Sequence, residues 1–457
     1  MWGTKGPNRK VDLEIHVIFS SNMARLLRSL QRLLGNNPSP AISITPPISS
    51  VARARSIDTD FSIIKEGDQV LLHTKQPTLT KPLKKGGKTN LRRGHLDHDR
   101  AIGSRVWDAV QAHKGPDVRL SLPTLEEYVT LTPRLVTPIY AHDANLIVSL
   151  LDIHTYPTAP NDTQPPIEIL ESGTGHGSLT LHLARALHAA NTTPPPRPTR
   201  SQIQYVAGRN RSPTENSTPE PDQQVSTEND PAQQEWDAWR TERGAIIHTV
   251  DVSSKFAKLA EKNVNGFRRG IYSGSVDFYV GAVEEWINAQ VARRAKPAEP
   301  VKPFLTYAIL DMPSAHERIP LVKDIIHRDG KLIVFAPSIT QIGDCVRMIQ
   351  KMNRPFVLDR VVELGSGLTS GRNWDVRLAV KKSGSDPSTW ESATEGEEAV
   401  PAEDEASDSE AIPSVEPSAP SSAFDESNSV MVCRPKVGLR TMGGGFVGVW
   451  RRIEDRS

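Results

Sequence analysis

The chain has 457 residues, enough for two or three domains, yet only 37% are hydrophobic and 36 are proline, which leaves roughly 300 residues for folded cores. A formal charge of +1 averages a basic front against an acidic later stretch, and two distant cysteines, Cys345 and Cys433, without Cys/His ligand spacing argue against a disulfide scaffold or a zinc site. No apolar run nears the ~20 residues of a membrane span, so a soluble protein with no membrane partner and no metal is expected.

The N-terminal 1–57 carry no acid from His16 to Ile57, while Arg25, Arg28, Arg32, Arg53 and Arg55 stand among Ser, Ala and Leu. From Met23 to Leu34 the arginines fall three and four apart, opposite a leucine face. That pattern reads as a mitochondrial transit peptide and predicts a mitochondrial location. Asp12 and Glu14 fit it poorly, which would favour a start at Met23. The alternatives are a disordered basic tail and a nuclear location.

Residues 58–130 read as a small β-rich domain. Glu66-Gly-Asp-Gln-Val-Leu-Leu-His73 is a turn followed by a strand, and Val118 to Leu122 alternates like another. Between them lie Lys81, Lys84, Lys85, Lys88, Arg92 and Arg93, either a solvated face or a contact for RNA phosphates.

From 131 to 457 strand and helix signals alternate. Strands are expected at Ile167–Glu171, Ala245–Asp251, Ser275–Val280, Leu305–Leu310 and Lys331–Phe335, with helices at Leu179–Ala190, Ser254–Phe267 and Ile339–Met352. Such βα alternation specifies an α/β fold, a parallel sheet covered by helices. Late strands at Trp374–Val380 and Gly445–Arg451, with no helix between them, suit an antiparallel hairpin at the sheet edge. Two segments, 192–236 and 383–429, are poor in apolar residues and are expected to be disordered insertions.

The strongest local signal is Glu171-Ser-Gly173-Thr-Gly175-His176-Gly177-Ser178, followed by Leu179, between a strand and a helix. Glycine lets the backbone turn sharply and a ligand approach closely. Asp251 ends the next strand, where an acid accepts from ribose hydroxyls. Glu284 follows the third strand and is expected at another polar edge of the same ligand. With no Gly-Lys-Ser/Thr and no arginine cluster, S-adenosylmethionine fits this loop better than NAD or ATP. Asp311 closes the fourth strand, facing the reaction site or capping the next turn. Such a carboxylate suits an adenine substrate: it would accept from the N6 amino group and raise electron density at N1. Tyr140 is either core or a platform for a flipped base.

Together these motifs resemble the tRNA (adenine-N1)-methyltransferases, which modify the T-loop adenosine at position 58, from about Pro82 to Arg451. The likeness is greatest to the bacterial and organellar branch, a fungal-type organellar form included. It rests on Pro123-Thr-Leu-Glu-Glu-Tyr128 with Thr137-Pro-Ile-Tyr140, on Glu171 to Leu179, on Ala260-Glu-Lys-Asn-Val264, on Pro337 to Gln341 and on Trp374 to Leu378. The resemblance implies a Rossmann-like class I methyltransferase domain behind a small β-barrel-like domain that binds tRNA. It places the cofactor acids at Asp251 and Glu284 and the catalytic acid at Asp311. It also implies a homotetramer, or a heterotetramer with a non-catalytic paralogous subunit. Met312-Pro-Ser-Ala-His316 lacks the tryptophan usual after that proline, and Gly443-Gly-Gly-Phe446 stands where a His-Thr pair is usual. The rivals are a non-catalytic tRNA-binding subunit and a methyltransferase acting on protein or a small molecule.

Overall fold

The structure, a computed structural model, describes residues 57–137, 139–157, 164–206, 230–297, 299–365, 374–380, 429–435 and 444–454. The expected transit peptide, Gly443 and nearly all of the acidic insertion lie outside them.

The first domain joins a four-stranded antiparallel sheet to a small hairpin. The sheet runs β2 (Thr78–Leu79), β1 (Leu71–His73), β6 (Val118–Ser121), β5 (Ala109–Val110), and β3 (Lys88–Asn90) pairs with β4 (His95–Asp97). A short helix, α1 (His98–Ala101), closes the space between them. Ile64, Val70, Leu72, Leu83, Leu96 and Leu120 form its core.

Helix α2 (Leu125–Leu131) leads from the small sheet to the large one. Its start is fixed by a capping box, in which Thr124 accepts from Glu127 N while the Glu127 carboxylate accepts from Thr124 N. Leu125, Tyr128 and Val129 join the core cluster of the large sheet rather than that of the small β-rich region. The domains are pinned by polar contacts as well. The Tyr128 hydroxyl donates to the Asn263 carbonyl at 2.9 Å. Arg269 makes a two-pronged pair with Asp68 at 2.9 and 2.8 Å.

The second domain is built on an eight-stranded sheet in the order β13 (Phe356–Leu364), β16 (Gly445–Arg452), β12 (Ile326–Ala336), β11 (Leu305–Leu310), β7 (Ile167–Ser172), β9 (Ala245–Asp251), β10 (Val276–Val280), β8 (Gln204–Tyr205). All pairings from β12 to β8 are parallel, and β16 runs antiparallel to both neighbours. The helices that cover it are α3 (Ala141–Leu151), α4 (Ser178–Leu187), α5 (Pro231–Thr241), α6 (Ser254–Gly266), α7 (Val283–Arg294), α8 (Ile319–Lys323) and α9 (Ile339–Lys351). From β7 the chain visits the far-edge β8, returns to β9 beside β7 and passes to β10, then crosses to β11 on the other side of β7. The β7–β11 junction is therefore the topological switch point, where open α/β sheets bind ligands beyond the strands' carboxyl ends.

Three expectations need correction. The late strands do not pair with one another. Gly445–Arg452 enters the main sheet, whereas β14 (Trp374–Val380) pairs with β15 (Ser429–Pro435) in a separate ribbon. The edge strand is instead Phe356–Leu364. The insertion at 192–236 is also narrower than expected. Residues 192–206 are described, with Gln204–Tyr205 extending the sheet beside β10, and α5 begins at Pro231. Asp230 caps α5, and the buried Trp236 and Trp239 anchor it, so apolar surface offsets ordering in a stretch of otherwise polar composition.

Candidate functional site

Strand β7 runs into the Gly-rich turn, and β11 delivers Asp311 beside it. The Asp311 amide donates to the Ser172 carbonyl at 2.8 Å, and the Gly173 amide donates to Val250 at 2.9 Å. Gly173 has φ +100°, and a Cβ there would lie 2.0 Å from the Asp311 carbonyl oxygen. Only glycine allows the two strand ends to meet so closely. Gly177, at φ +87°, turns the chain into α4 against Ala260 of α6.

This end of the sheet opens into a cavity of about 280 Å³ lined by the glycine turn together with Glu171, Asp251, Asp311, Val136, Phe256 and Pro313. Three carboxylates line it, and no lysine or arginine does among the described residues. Glu171 is fully buried; Thr180 Oγ1 donates to its Oε2 at 2.7 Å, and Oε1 has no partner. Burial drives its carboxyl up to about 8, helped by Asp311 and Asp251 and opposed by hydrogen bonds from Thr180 and Thr249. Burial and then Asp251 push Asp311 up to about 7. Asp251 is raised as well, by burial, although the amides of Ser253 and Gly175 donate to it at 2.8 and 3.3 Å.

An orphaned buried carboxylate oxygen and three acids without a counterion call for a cation with hydrogen-bond donors. S-adenosylmethionine meets that demand, carrying a sulfonium, an ammonium and ribose hydroxyls. A phosphate-bearing nucleotide does not.

A second cavity, of about 380 Å³, adjoins the first and shares Asp311 and Pro313 with it. Met312, His316, Phe335, Ala336 and Gln341 also line it, from the ends of β11 and β12 and the start of α9. Asp311 thus stands between the two spaces.

The expected residues divide into three groups. Glu171, Gly173, Gly175, His176, Ser178, Leu179, Asp251 and Asp311 all line the first cavity. Within that group, His176 and Ser178 spend their polar atoms on the scaffold. His176 Nε2 donates to Val129 O at 3.2 Å, and Ser178 Oγ donates to Ile139 O at 2.7 Å. Gly177 shapes the turn without lining the cavity. Glu284 and Tyr140 are not brought in. Glu284 sits in the first turn of α7 and pairs with Arg318 at 2.6 Å. Tyr140 precedes α3 with the Arg134 guanidinium 5.2 Å over its ring. Phe256, Val136, Thr180 and Thr249 were not singled out by sequence. Phe256, in the first turn of the helix after Asp251, was the one with a readable signal.

The parallel sheet with one antiparallel strand near its edge, the glycine turn at the switch point and the acid-lined cavity together form a Rossmann-like α/β domain with a candidate cofactor site. Among curated proteins, the chain is 26% identical over 297 residues to tRNA (adenine(58)-N(1))-methyltransferase TrmI of Thermus thermophilus, covering 65% of this chain and 83% of that one. It is 32% identical over 127 residues to the catalytic subunit TRM61 of Candida albicans, covering 27% and 35%. No protein-family profile matches. Among solved structures, similarity extends to a SAM-dependent O-methyltransferase of Thermotoga maritima (14% identity, TM-score 0.48, 87% and 97% covered). It extends also to tRNA (m1A58) methyltransferase TrmI of Aquifex aeolicus (14% identity, TM-score 0.44, 86% and 99% covered).

Proposed function

We propose that the protein is a tRNA (adenine-N1)-methyltransferase that carries the methyl group of S-adenosylmethionine to N1 of the T-loop adenosine at position 58. The observation that carries this reading is Asp311, half-buried at the junction of two cavities. One space suits the cofactor, and the other, of about 380 Å³, has room for a flipped purine.

The cofactor supplies an electrophilic methyl carbon whose bonding pair returns to sulfur as the N1 lone pair forms the new bond. The chain's own residues do the rest. The glycine turn and Phe256 shape the cofactor space, and Asp251 accepts from the ribose hydroxyls. Glu171, with its Oε1 left without a hydrogen-bond partner, would hold the cofactor's cationic groups. Asp311, ionised, accepts from the adenine N6 amino group. It raises electron density at N1 and offsets the positive charge that methylation leaves on the base. No base is needed to remove a proton from N1. Phe335 and Gln341 provide an aromatic face and an amide in the space where the base would lie.

The finer features belong to the same proposal. The basic first domain binds the tRNA backbone, the chain assembles as a tetramer of identical or paralogous subunits, and the acid-free N-terminus directs it to mitochondria as an organellar form.

The test is methyl transfer from labelled cofactor by the purified chain to unmodified tRNA, with and without replacement of the T-loop adenosine. The reading predicts incorporation that disappears with the replacement. Incorporation that survives it would contradict the position, and incorporation into protein alone would contradict the substrate class.

A further inference from the structure

Trp107 is the most exposed of the large hydrophobic residues in the first domain, at 57%. Its backbone is left-handed, with φ +72°, a conformation that bulky residues avoid. Neither fact serves the core of the domain, since the ring contributes little to it. The conformation is nevertheless held firmly. The Trp107 amide donates to the Leu120 carbonyl at 2.5 Å, and Arg119 Nη1 donates to the Trp107 carbonyl at 3.4 Å. The indole stacks on His73 with centroids 4.5 Å apart and planes 29° apart. His73 is fixed in turn, its Nε2 lying 2.8 Å from Ser121 Oγ. A strained backbone, a braced ring beneath and a bare upper face together present a flat aromatic surface to solvent.

The surroundings are cationic. Arg119 lies opposite His73 in the strand register, and both Arg119 and Arg105 are exposed. Neither forms an ion pair among the described residues, and the nearby Asp108 carboxylate accepts from the Arg105 amide at 2.9 Å. One residue beyond His73 begins a cleft of about 440 Å³. Its lining includes Thr74, Lys75, Gln76, Asn90 and Arg92, with two cations and no acid. Between 57 and 123 the chain carries twelve Lys and Arg against eight Asp and Glu.

We propose that Trp107, braced by His73, is a stacking platform for an unpaired base of the RNA substrate, with Arg119, Arg105 and the Lys75–Arg92 cleft taking the adjoining phosphates. This rests on the reading of the substrate as RNA. Stacking is indifferent to base identity, because every base has a π face, and the cations add backbone affinity. An apolar protein partner would gain nothing from the surrounding charge, whereas single-stranded RNA matches both the ring and the cations. The platform is a binding site away from the reacting atoms, so it acts on substrate affinity rather than on the chemical step.

The test compares Trp107→Gly and Trp107→Phe with the wild-type chain, using unmodified tRNA as probe. Glycine accepts φ +72° without strain, so Trp107→Gly is expected to melt no lower than wild type. Its tRNA affinity should fall, and its KM for tRNA rise, by about fivefold to 150-fold, the range of one lost base–aromatic stack. Its kcat and cofactor affinity should hold, and Trp107→Phe should recover most of the binding. Unchanged tRNA affinity in Trp107→Gly overturns the platform while leaving the methyltransferase reading intact. Unchanged affinity together with a lower sedimentation coefficient would assign Trp107 to a contact between copies instead. A wild-type chain that binds no RNA overturns both readings.

Discussion

At the amino-terminal end of the sheet, Asp277 of β10 is buried against Arg243, at 2.9 and 2.8 Å, and Arg240, at 3.0 Å. At the carboxyl-terminal end, the buried Glu171 and Asp251 and the half-buried Asp311 surround one cavity that no cation among the described residues lines. Burial alone would raise all four carboxyls. The two arginines outweigh burial at Asp277 and hold it well below the usual range. Glu168 at the start of β7 follows the same rule, lowered against burial by His248 and Arg294. Glu171 and Asp311 instead rise to about 8 and about 7. Buried acids with partners inside the fold hold the sheet together. Buried acids without them await a partner from outside, and the demand for a cation is what identifies the cavity.

The first way to break this comparison is at the paired end. Asp277→Ala leaves Arg243 buried without its partner and should cost about 3–5 kcal/mol of stability, seen as a lower denaturation midpoint. A loss of under about 1 kcal/mol would show that the pair is not a structural anchor.

A smaller effect separates the unpaired end. With Glu171 raised from 4.5 to about 8, the folded chain without cofactor holds a proton that the unfolded chain releases between those values. Stability is therefore expected to fall as pH rises from about 4.5 to 8. Glu171→Gln should flatten that decline, measured by melting across the same range. A wild-type chain that gains stability over this window relative to Glu171→Gln would contradict the assignment.

The smallest expected effect is at Glu284, which pairs with Arg318 outside the cavity. Glu284→Ala should leave cofactor affinity unchanged by calorimetry and shift stability by no more than about 1 kcal/mol. A marked loss of affinity would return Glu284 to the cofactor's polar edge, where the sequence placed it.

What the sequence could convey follows the same division. Strand β9, Ala245–Asp251, and the glycine turn were legible because a short apolar run and its punctuation are local signals. Asp251 and Asp311 were legible because they end such strands. Glu284 was legible only as an acid after the third strand, because spacing does not reveal that Arg318, just ahead of α8, takes up its carboxylate. The pairing of β14 with β15 and the entry of Gly445–Arg452 into the main sheet were not readable, since their partners lie across a long insertion. Edge strand β13 escaped notice because most of its residues are exposed and its pattern does not alternate. The second cavity could not be foreseen at all. It exists only where β11, β12 and α9 converge.

The central claim is that Asp311 acts on the base and not on the cofactor, and Asp311→Ala tests it when methyl transfer to tRNA and cofactor affinity are measured on the same preparation. The account predicts that transfer falls by on the order of 10²–10³ while cofactor affinity stays within a few fold of wild type. Parallel losses in both would place Asp311 in the cofactor site alone, and undiminished transfer would remove it from the mechanism.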